Sequence, residues 1–207
     1  MDFYSTIQKL QRFEINEQLK QTAHMEVAPF RDLHISNTQT LNAKKAAVLL
    51  LIHSHQEEAY FTLIERSSYD GVHSNQIALP GGKVENEDLN IAQTALREAH
   101  EEVNIIPSDV QVLTALSNIY IPPSNFHITP ILGISGKRPE YVAEEKEVNH
   151  ILEVPLSELL NPSVLKETTI KSKKGNFKSP YLDLHGKIVW GATAMILNEL
   201  KHFLSLR

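Results

Sequence analysis

Strands and helices alternate along this chain in an order that predicts α/β layers built on a mixed sheet. Three observations carry that expectation. Ala46–His53 and Ala59–Glu65 are apolar runs of strand length, and the Ser54–Glu58 segment between them is short enough for a hairpin connection. Residues 89–103 place Ala92, Leu96, Ala99 and Val103 on one side of a helix. Ile188–Phe203 repeats the helical pattern, with Ala192, Met195, Ile196, Glu199 and Leu200 in register.

The remaining elements follow in order. Phe3, Ile7, Leu10 and Phe13 recur at spacings of three and four, which predicts one amphipathic helix over residues 3–20. Residues 21–42 read as an irregular linker, so the chain divides into an N-terminal helix and linker (1–42) packed on a main domain (43–207). Residues 66–82 hold Tyr69-Asp70-Gly71 and Pro80-Gly81-Gly82, a loop flanking the short apolar piece Ile77–Leu79. Asn104 and Pro107 stop the central helix. Val110–Ile121 is expected as a strand ended by Pro122-Pro123, His127–Ile134 as another, and Val148–Pro155 as extended. Ser157–Leu160 begins a short helix, and the lysine-rich stretch 166–180 reads as an exposed loop or hairpin tip.

Composition narrows the function. The 207 residues are 42% hydrophobic and 22% charged, a globular balance that suits one domain with appendages. A formal net charge of -5 argues against a surface that coats nucleic acid. An anionic small-molecule substrate remains compatible, because a metal ion reverses the sign of an acidic cleft locally. The chain has no cysteine, which excludes disulfides, thiolate zinc sites and cysteine nucleophiles. Its longest apolar run, Ala46–Ile52, is too short to cross a bilayer, and the N-terminus lacks the basic start and apolar stretch of a signal peptide. The expectation is a cytoplasmic protein with neither a membrane nor a nucleic-acid partner.

The chemistry is concentrated between Leu79-Pro80-Gly81-Gly82-Lys83-Val84-Glu85 and Arg97-Glu98-Ala99-His100-Glu101-Glu102. At about 100° per residue, Glu98, Glu101 and Glu102 fall on one face within an arc of about 100°. Like charges at i, i+4 repel, and anions are the wrong sign for a helix C-terminus. Local conflicts of this kind are expected where function compensates, and a divalent cation would compensate directly. Oxygen-only ligands suit Mg²⁺ or Mn²⁺ rather than zinc. A bare Glu-x-x-Glu-Glu also describes a solvated acidic face, so the surrounding residues decide between the two. The ten histidines show no zinc-type spacing, and Lys83 is not a P-loop lysine, since no Ser or Thr follows it.

Those surroundings resemble the signature of the Nudix family. Gly82 is followed after five residues by Asp88, and after eight more by Arg97-Glu98-Ala99-His100-Glu101-Glu102-Val103-Asn104-Ile105. The aspartate in place of glutamate and the spacer longer by one residue are similar to the coenzyme A pyrophosphatase branch. Asn104 replaces the family glycine and tolerates positive φ better than other side-chain-bearing residues. Upstream, Arg66-Ser67, His73-Ser74-Asn75-Gln76-Ile77-Ala78 and Leu79-Pro80-Gly81-Gly82 resemble the extra motif of that branch. Asn75 stands there for glycine, Leu79 for phenylalanine, and Gly71 about where many members have arginine. Thr129-Pro130-Ile131, Glu147-Val148 and Trp190-Gly191-Ala192-Thr193-Ala194 extend the likeness to about residues 45–200.

The resemblance implies a Nudix-type α/β/α sandwich with a mixed central sheet, to which an N-terminal helix is added. It implies a metal-dependent pyrophosphohydrolase that cleaves coenzyme A or acyl-coenzyme A to 3′,5′-ADP and (acyl-)4′-phosphopantetheine. Alternatives are another nucleoside diphosphate derivative as substrate, or a non-catalytic ligand sensor of the same fold. Glu98, Glu101 and Glu102 would hold Mg²⁺ or Mn²⁺ with the Gly81 carbonyl. Arg97 would orient the carboxylates, and Asp88 would hold that arrangement or cap the helix. Either Glu98 or Glu147 would activate water. Arg66, His73 and Gln76 are candidates for substrate contacts, Arg66 through phosphate oxygens or else through a neighbouring acid. A homodimer is left open.

Overall fold

The run Ala46-Ala47-Val48-Leu49-Leu50-Leu51-Ile52 has no polar face, so a strand made from it must be covered on both sides. In the computed structural model, which describes residues 1–14, 16–30, 42–67, 76–172 and 175–206, that strand is β1 (Lys44–His55). Ala47, Leu49 and Leu51 pack on one face against Ala95, Ala99 and Val103 of a helix, Ile91–Val103. Leu50 and Ile52 point the other way, into a larger cluster with Phe3, Leu10, Phe13, Val27, Leu197 and Leu200. One helix thus covers one face and a helical layer covers the other, which is the predicted α/β/α sandwich.

The helices are α1 (Phe3–Leu10), α2 (Glu17–Val27), α3 (Ile91–Val103), α4 (Leu156–Leu159) and α5 (Gly191–Ser205). The strands are β1, β2 (Glu58–Arg66), β3 (Ile77–Ala78), β4 (Gly81–Lys83), β5 (Gln111–Ala115) and β6 (Ile119–Ile121), followed by β7 (Phe126–Ser135), β8 (Val148–Pro155), β9 (Leu165–Ser172), β10 (Gly175–Leu184) and β11 (Lys187–Val189). The main sheet is mixed, in the order β3-β2-β1-β7-β5. β1 runs parallel to β7 from Lys44 to His53, and antiparallel to β2 only from Ile52 to His55. Beyond that short pairing β1 and β2 diverge. β2 takes β3 and β8 as partners, while Ala46–Val48 of β1 takes β4. The Pro80-Gly81-Gly82 turn therefore lies in the opening between the two strands, fixed by the Leu49 N–H donating to the Pro80 carbonyl (2.8 Å).

Several expectations need correction. The predicted helix over 3–20 is two helices, and the linker over 21–42 is helical as far as Val27. Asn16 starts α2, its side chain accepting from the N–H groups of Gln18 and Leu19, a strong N-cap arrangement. Phe13 lies between the helices and packs on Phe203 with ring centroids 4.6 Å apart. Val110–Ile121 is two strands, because both pair with β7 around Pro130, which has no N–H to donate. There the Leu116 N–H donates to the Pro130 carbonyl, and Ser117 turns to Glu199. The stretch 166–180 contributes β9 and β10, which with β11 form a second, three-stranded sheet. The expected helix over 188–203 begins only at Gly191, where φ of +65° ends β11 and lets the chain turn into α5. Among the described residues, no helix is long and apolar enough to cross a membrane.

Candidate active site

Helix α3 presents its functional face because its other face has nowhere else to go. Ala95, Ala99 and Val103 are fully buried beneath it, which turns Glu98 and Glu102 toward the glycine turn. Asn90 caps its start, its side chain accepting from the Gln93 N–H at 3.0 Å. Asn104 ends it in the left-handed region, at φ 60° and ψ 31°.

Glu102 is 1% exposed, unusual for a carboxylate, and both of its oxygens are engaged. Oε2 accepts the Gly81 N–H at 2.8 Å and Oε1 accepts an Arg66 Nη1–H at 3.1 Å. Glu98 lies across Gly82 so closely that a Cβ on that glycine would fall 2.3 Å from Oε2. Gly82 is thus required by the approach of Glu98, and Gly81 by its positive φ and the closeness of β1 at Ala47 and Val48.

Arg97 is the hub on the outer side of the helix. Its Nε donates to Asp88 Oδ1 (3.0 Å), one Nη to the Lys83 carbonyl (3.0 Å), and the other Nη reaches Glu98 and Glu101, both at 3.0 Å. Asp88 also accepts from the Glu85 N–H and the Thr94 hydroxyl, at 2.9 and 2.8 Å. Asp88 therefore holds the arginine, while capping falls to Asn90. Arg97 donation keeps the Asp88 carboxyl well below its ordinary range, and the same pair raises Arg97.

Burial works against charge on the inner side. It pushes Glu102 up to about 7, against the opposing pull of Arg66 and the Gly81 N–H, with Glu98 and Glu147 adding repulsion. Glu98 is raised as well, by burial first, and again Glu147 contributes repulsion. Glu147 is exposed, and it is placed by its backbone: the Ser67 N–H donates to its carbonyl at 2.8 Å. A residue 45 positions downstream of Glu102 thus enters the field of both glutamates.

Of the predicted site residues, the structure brings together Gly81, Glu98, Glu102, Arg97, Glu101, Arg66 and, electrostatically, Glu147. Gln76 stands beside Arg66, its carbonyl accepting the Arg66 N–H at 3.0 Å. His73 lies outside the described residues. Sequence reasoning named Ser67 within the upstream motif but gave no role to it, although it bonds Glu147 and Glu145, nor to Thr94, which bonds Asp88. Ser67 was adjacent to a flagged arginine, but nothing local marked its partner.

A hard divalent cation suits this donor set. Glu98 and Glu102 repel one another and are both disfavoured as anions by burial, and Glu98 lies against Gly82 where no side chain fits. Among the described residues no three acidic or imidazole side chains converge into a ready-made cation site. Arg66 engages Glu102, and Arg97 engages Glu98 and Glu101.

Comparison with known proteins supplies the family. A model of the NUDIX domain matches residues 43–171. An uncharacterised Nudix hydrolase NudL from Enterobacter sp. (strain 638) is 37% identical over 165 residues, 77% of this chain and 82% of that protein. Its namesake from Citrobacter koseri is 36% identical over 169 residues, 79% of this chain and 84% of that protein. Among solved structures, a MutT/nudix family protein from Enterococcus faecalis superposes with a TM-score of 0.52 at 16% identity, over 91% of this chain and 74% of that chain, a likeness of fold alone. The chain belongs to the Nudix hydrolase family. It is an enzyme, a Nudix-type diphosphatase, and such hydrolases generally use divalent metal ions.

Proposed function

We propose that this enzyme hydrolyses the diphosphate bridge of coenzyme A or acyl-coenzyme A, giving 3′,5′-ADP and (acyl-)4′-phosphopantetheine. The observation that carries the reading is Glu102, buried between the Gly81 N–H and Arg66. It joins the upstream Arg66–Gln76 motif to the acidic helix at one point. The Arg66 side chain keeps 26% exposure, so part of its planar donor fork remains available to a phosphoryl oxygen.

In this reading Glu98, Glu101 and Glu102, with the Gly81 carbonyl, hold Mg²⁺ or Mn²⁺. The ion, when bound, supplies Lewis acidity at the phosphates and lowers the pKa of water. Arg97, tied to Asp88, orients the carboxylates. Glu147 or Glu98 takes the proton of the attacking water, and Arg66 and Gln76, with His73, contact the substrate. The reading includes a cytoplasmic setting and residues 1–42 as an addition to the domain of 43–207.

The test is purified protein with Mg²⁺ or Mn²⁺ and a panel of diphosphate compounds, with products identified by mass. Coenzyme A should be turned over, and Arg66→Ala or Gln76→Ala should impair that more than turnover of a generic diphosphate. Equal loss on both would remove the selective role of the upstream motif. Turnover of another nucleoside diphosphate derivative without coenzyme A would replace the substrate.

A further inference from the structure

Helices commonly end on a glycine in the left-handed region, because only glycine adopts it without strain. At that position this chain has Asn104, whose backbone N–H caps Ala99 and His100 as a glycine's would. The asparagine adds only a side chain, whose Nδ2 donates to the Glu140 carbonyl at 2.8 Å.

Glu140 opens a segment that ends at Glu147. Along it the Val142 and Glu144 N–H groups donate to the Val103 and Glu102 carbonyls, at 3.4 and 2.9 Å, closing acceptors that the end of α3 leaves unpaired. The Glu144 carbonyl then accepts from Glu147 and Val148, at 2.9 and 2.8 Å, and the Glu147 carbonyl accepts from Ser67. A continuous series of hydrogen bonds therefore runs from the end of the acidic helix to Glu147. Its first member lies at the edge of a cavity of about 230 Å³, lined by Asn104 and Glu140 and also by Ile105, Val110, Arg138 and Pro139. Further along, Tyr141 and Ala143 pack against the core and the Tyr141 hydroxyl bonds Thr62 and His53, at 2.7 and 3.1 Å, so the amide adds the tie at the Glu140 end, on the side of α3.

We infer that Asn104 is a positioning residue, whose side chain ties the 140–147 segment to α3 and so sets Glu147 against Glu98 and Glu102. This rests on the reading of Glu147 as an acid of the active site. Asn104→Gly is a clean perturbation, because glycine keeps the left-handed cap and removes only the tether. With the loss of one hydrogen bond, kcat should fall about fivefold, with KM unchanged and Tm lowered by no more than about 4 °C. In an Glu147→Gln background the same substitution should leave kcat where it was, since the two would act as one unit. Hydrogen exchange on the metal-free protein gives a readout apart from activity. The Glu144, Glu147 and Val148 amides should exchange faster in Asn104→Gly, while Ala99 within α3 stays protected. Unchanged kcat, an equal fractional loss in the Glu147→Gln background, or unchanged exchange across 144–148 would each overturn the inference. Full activity of Glu147→Gln alone would sink the reading of Glu147 instead, and the exchange arm would still decide whether Asn104 sets the segment.

Discussion

Replacing Gly82 with alanine separates catalysis from folding in one substitution. The new Cβ would fall 2.3 Å from Glu98 Oε2, 2.4 Å from its Cδ and 2.5 Å from Oε1. Ordinary van der Waals contact begins near 3.4 Å, so the carboxylate must retreat by about 1 Å. It can do so cheaply, because it is the far end of a flexible side chain. The fold should therefore tolerate the change, with a stability cost within about 0.5 kcal/mol and Tm moved by about 2 °C or less. Catalysis should not tolerate it, since a displacement of about 1 Å in a reacting group can cost on the order of 10²-fold. Gly81 provides the contrast. Its φ is +155°, and a Cβ there would fall 2.3 Å from the Ala47 carbonyl oxygen and 2.5 Å from the Val48 Cα, which are backbone atoms of the central strand. Gly81→Ala should cost about 3 kcal/mol and lower Tm by on the order of 10 °C. The assay is kcat for diphosphate hydrolysis beside thermal unfolding of the same preparations. Wild-type kcat in a folded Gly82→Ala protein would refute the placement of Glu98 over the turn, as would a Gly81→Ala protein of unchanged Tm.

Other outcomes follow from the same contacts. Asp88→Asn should weaken the hold on Arg97 and lower kcat by about 10-fold or more, with KM little changed, as for loss of a group that orients metal-binding carboxylates. Glu102→Gln should lower kcat by at least on the order of 10²-fold, and an excess of chelator should abolish wild-type activity; full turnover in chelator would remove the metal from the account. Stability should depend on acid through His53, which is fully buried with its pKa pushed down to about 4 by burial. In that window the unfolded chain binds the proton and the folded one does not, so stability falls as pH drops from about 6.5 and levels off near 4. The loss between pH 7 and pH 5 should be about 2 kcal/mol by urea unfolding, and a His53→Phe protein should lack that part of the slope.

The glutamates of α3 were legible because their relation is local. Spacings of three and four residues place side chains on one helical face whatever the rest of the chain does. The central strand was legible for a similar reason, since a run with no polar residue must be covered on both faces. Asn16 was harder: the apolar spacing of Phe3, Ile7, Leu10 and Phe13 runs past Leu10, and only the cap shows that a second helix starts. The hairpin β9–β10 resembles a loop or hairpin tip in sequence, because its lysine-rich strands carry little apolar alternation to announce them.

What the sequence determined by itself was the acidic helix, the glycine turn before it and the layered class of the fold. Each depends on neighbours within a few residues, where covalent geometry fixes who meets whom. Only the tertiary structure decided that Arg66 pairs with Glu102, 36 positions away, and that Glu147 is brought near the same carboxylates. Those meetings arise where β1 and β2 part, β3 and β4 fill the opening, and the segment after β7 closes the end of α3. No periodicity encodes such a junction, because it is set by the packing of distant segments rather than by the pitch of any one.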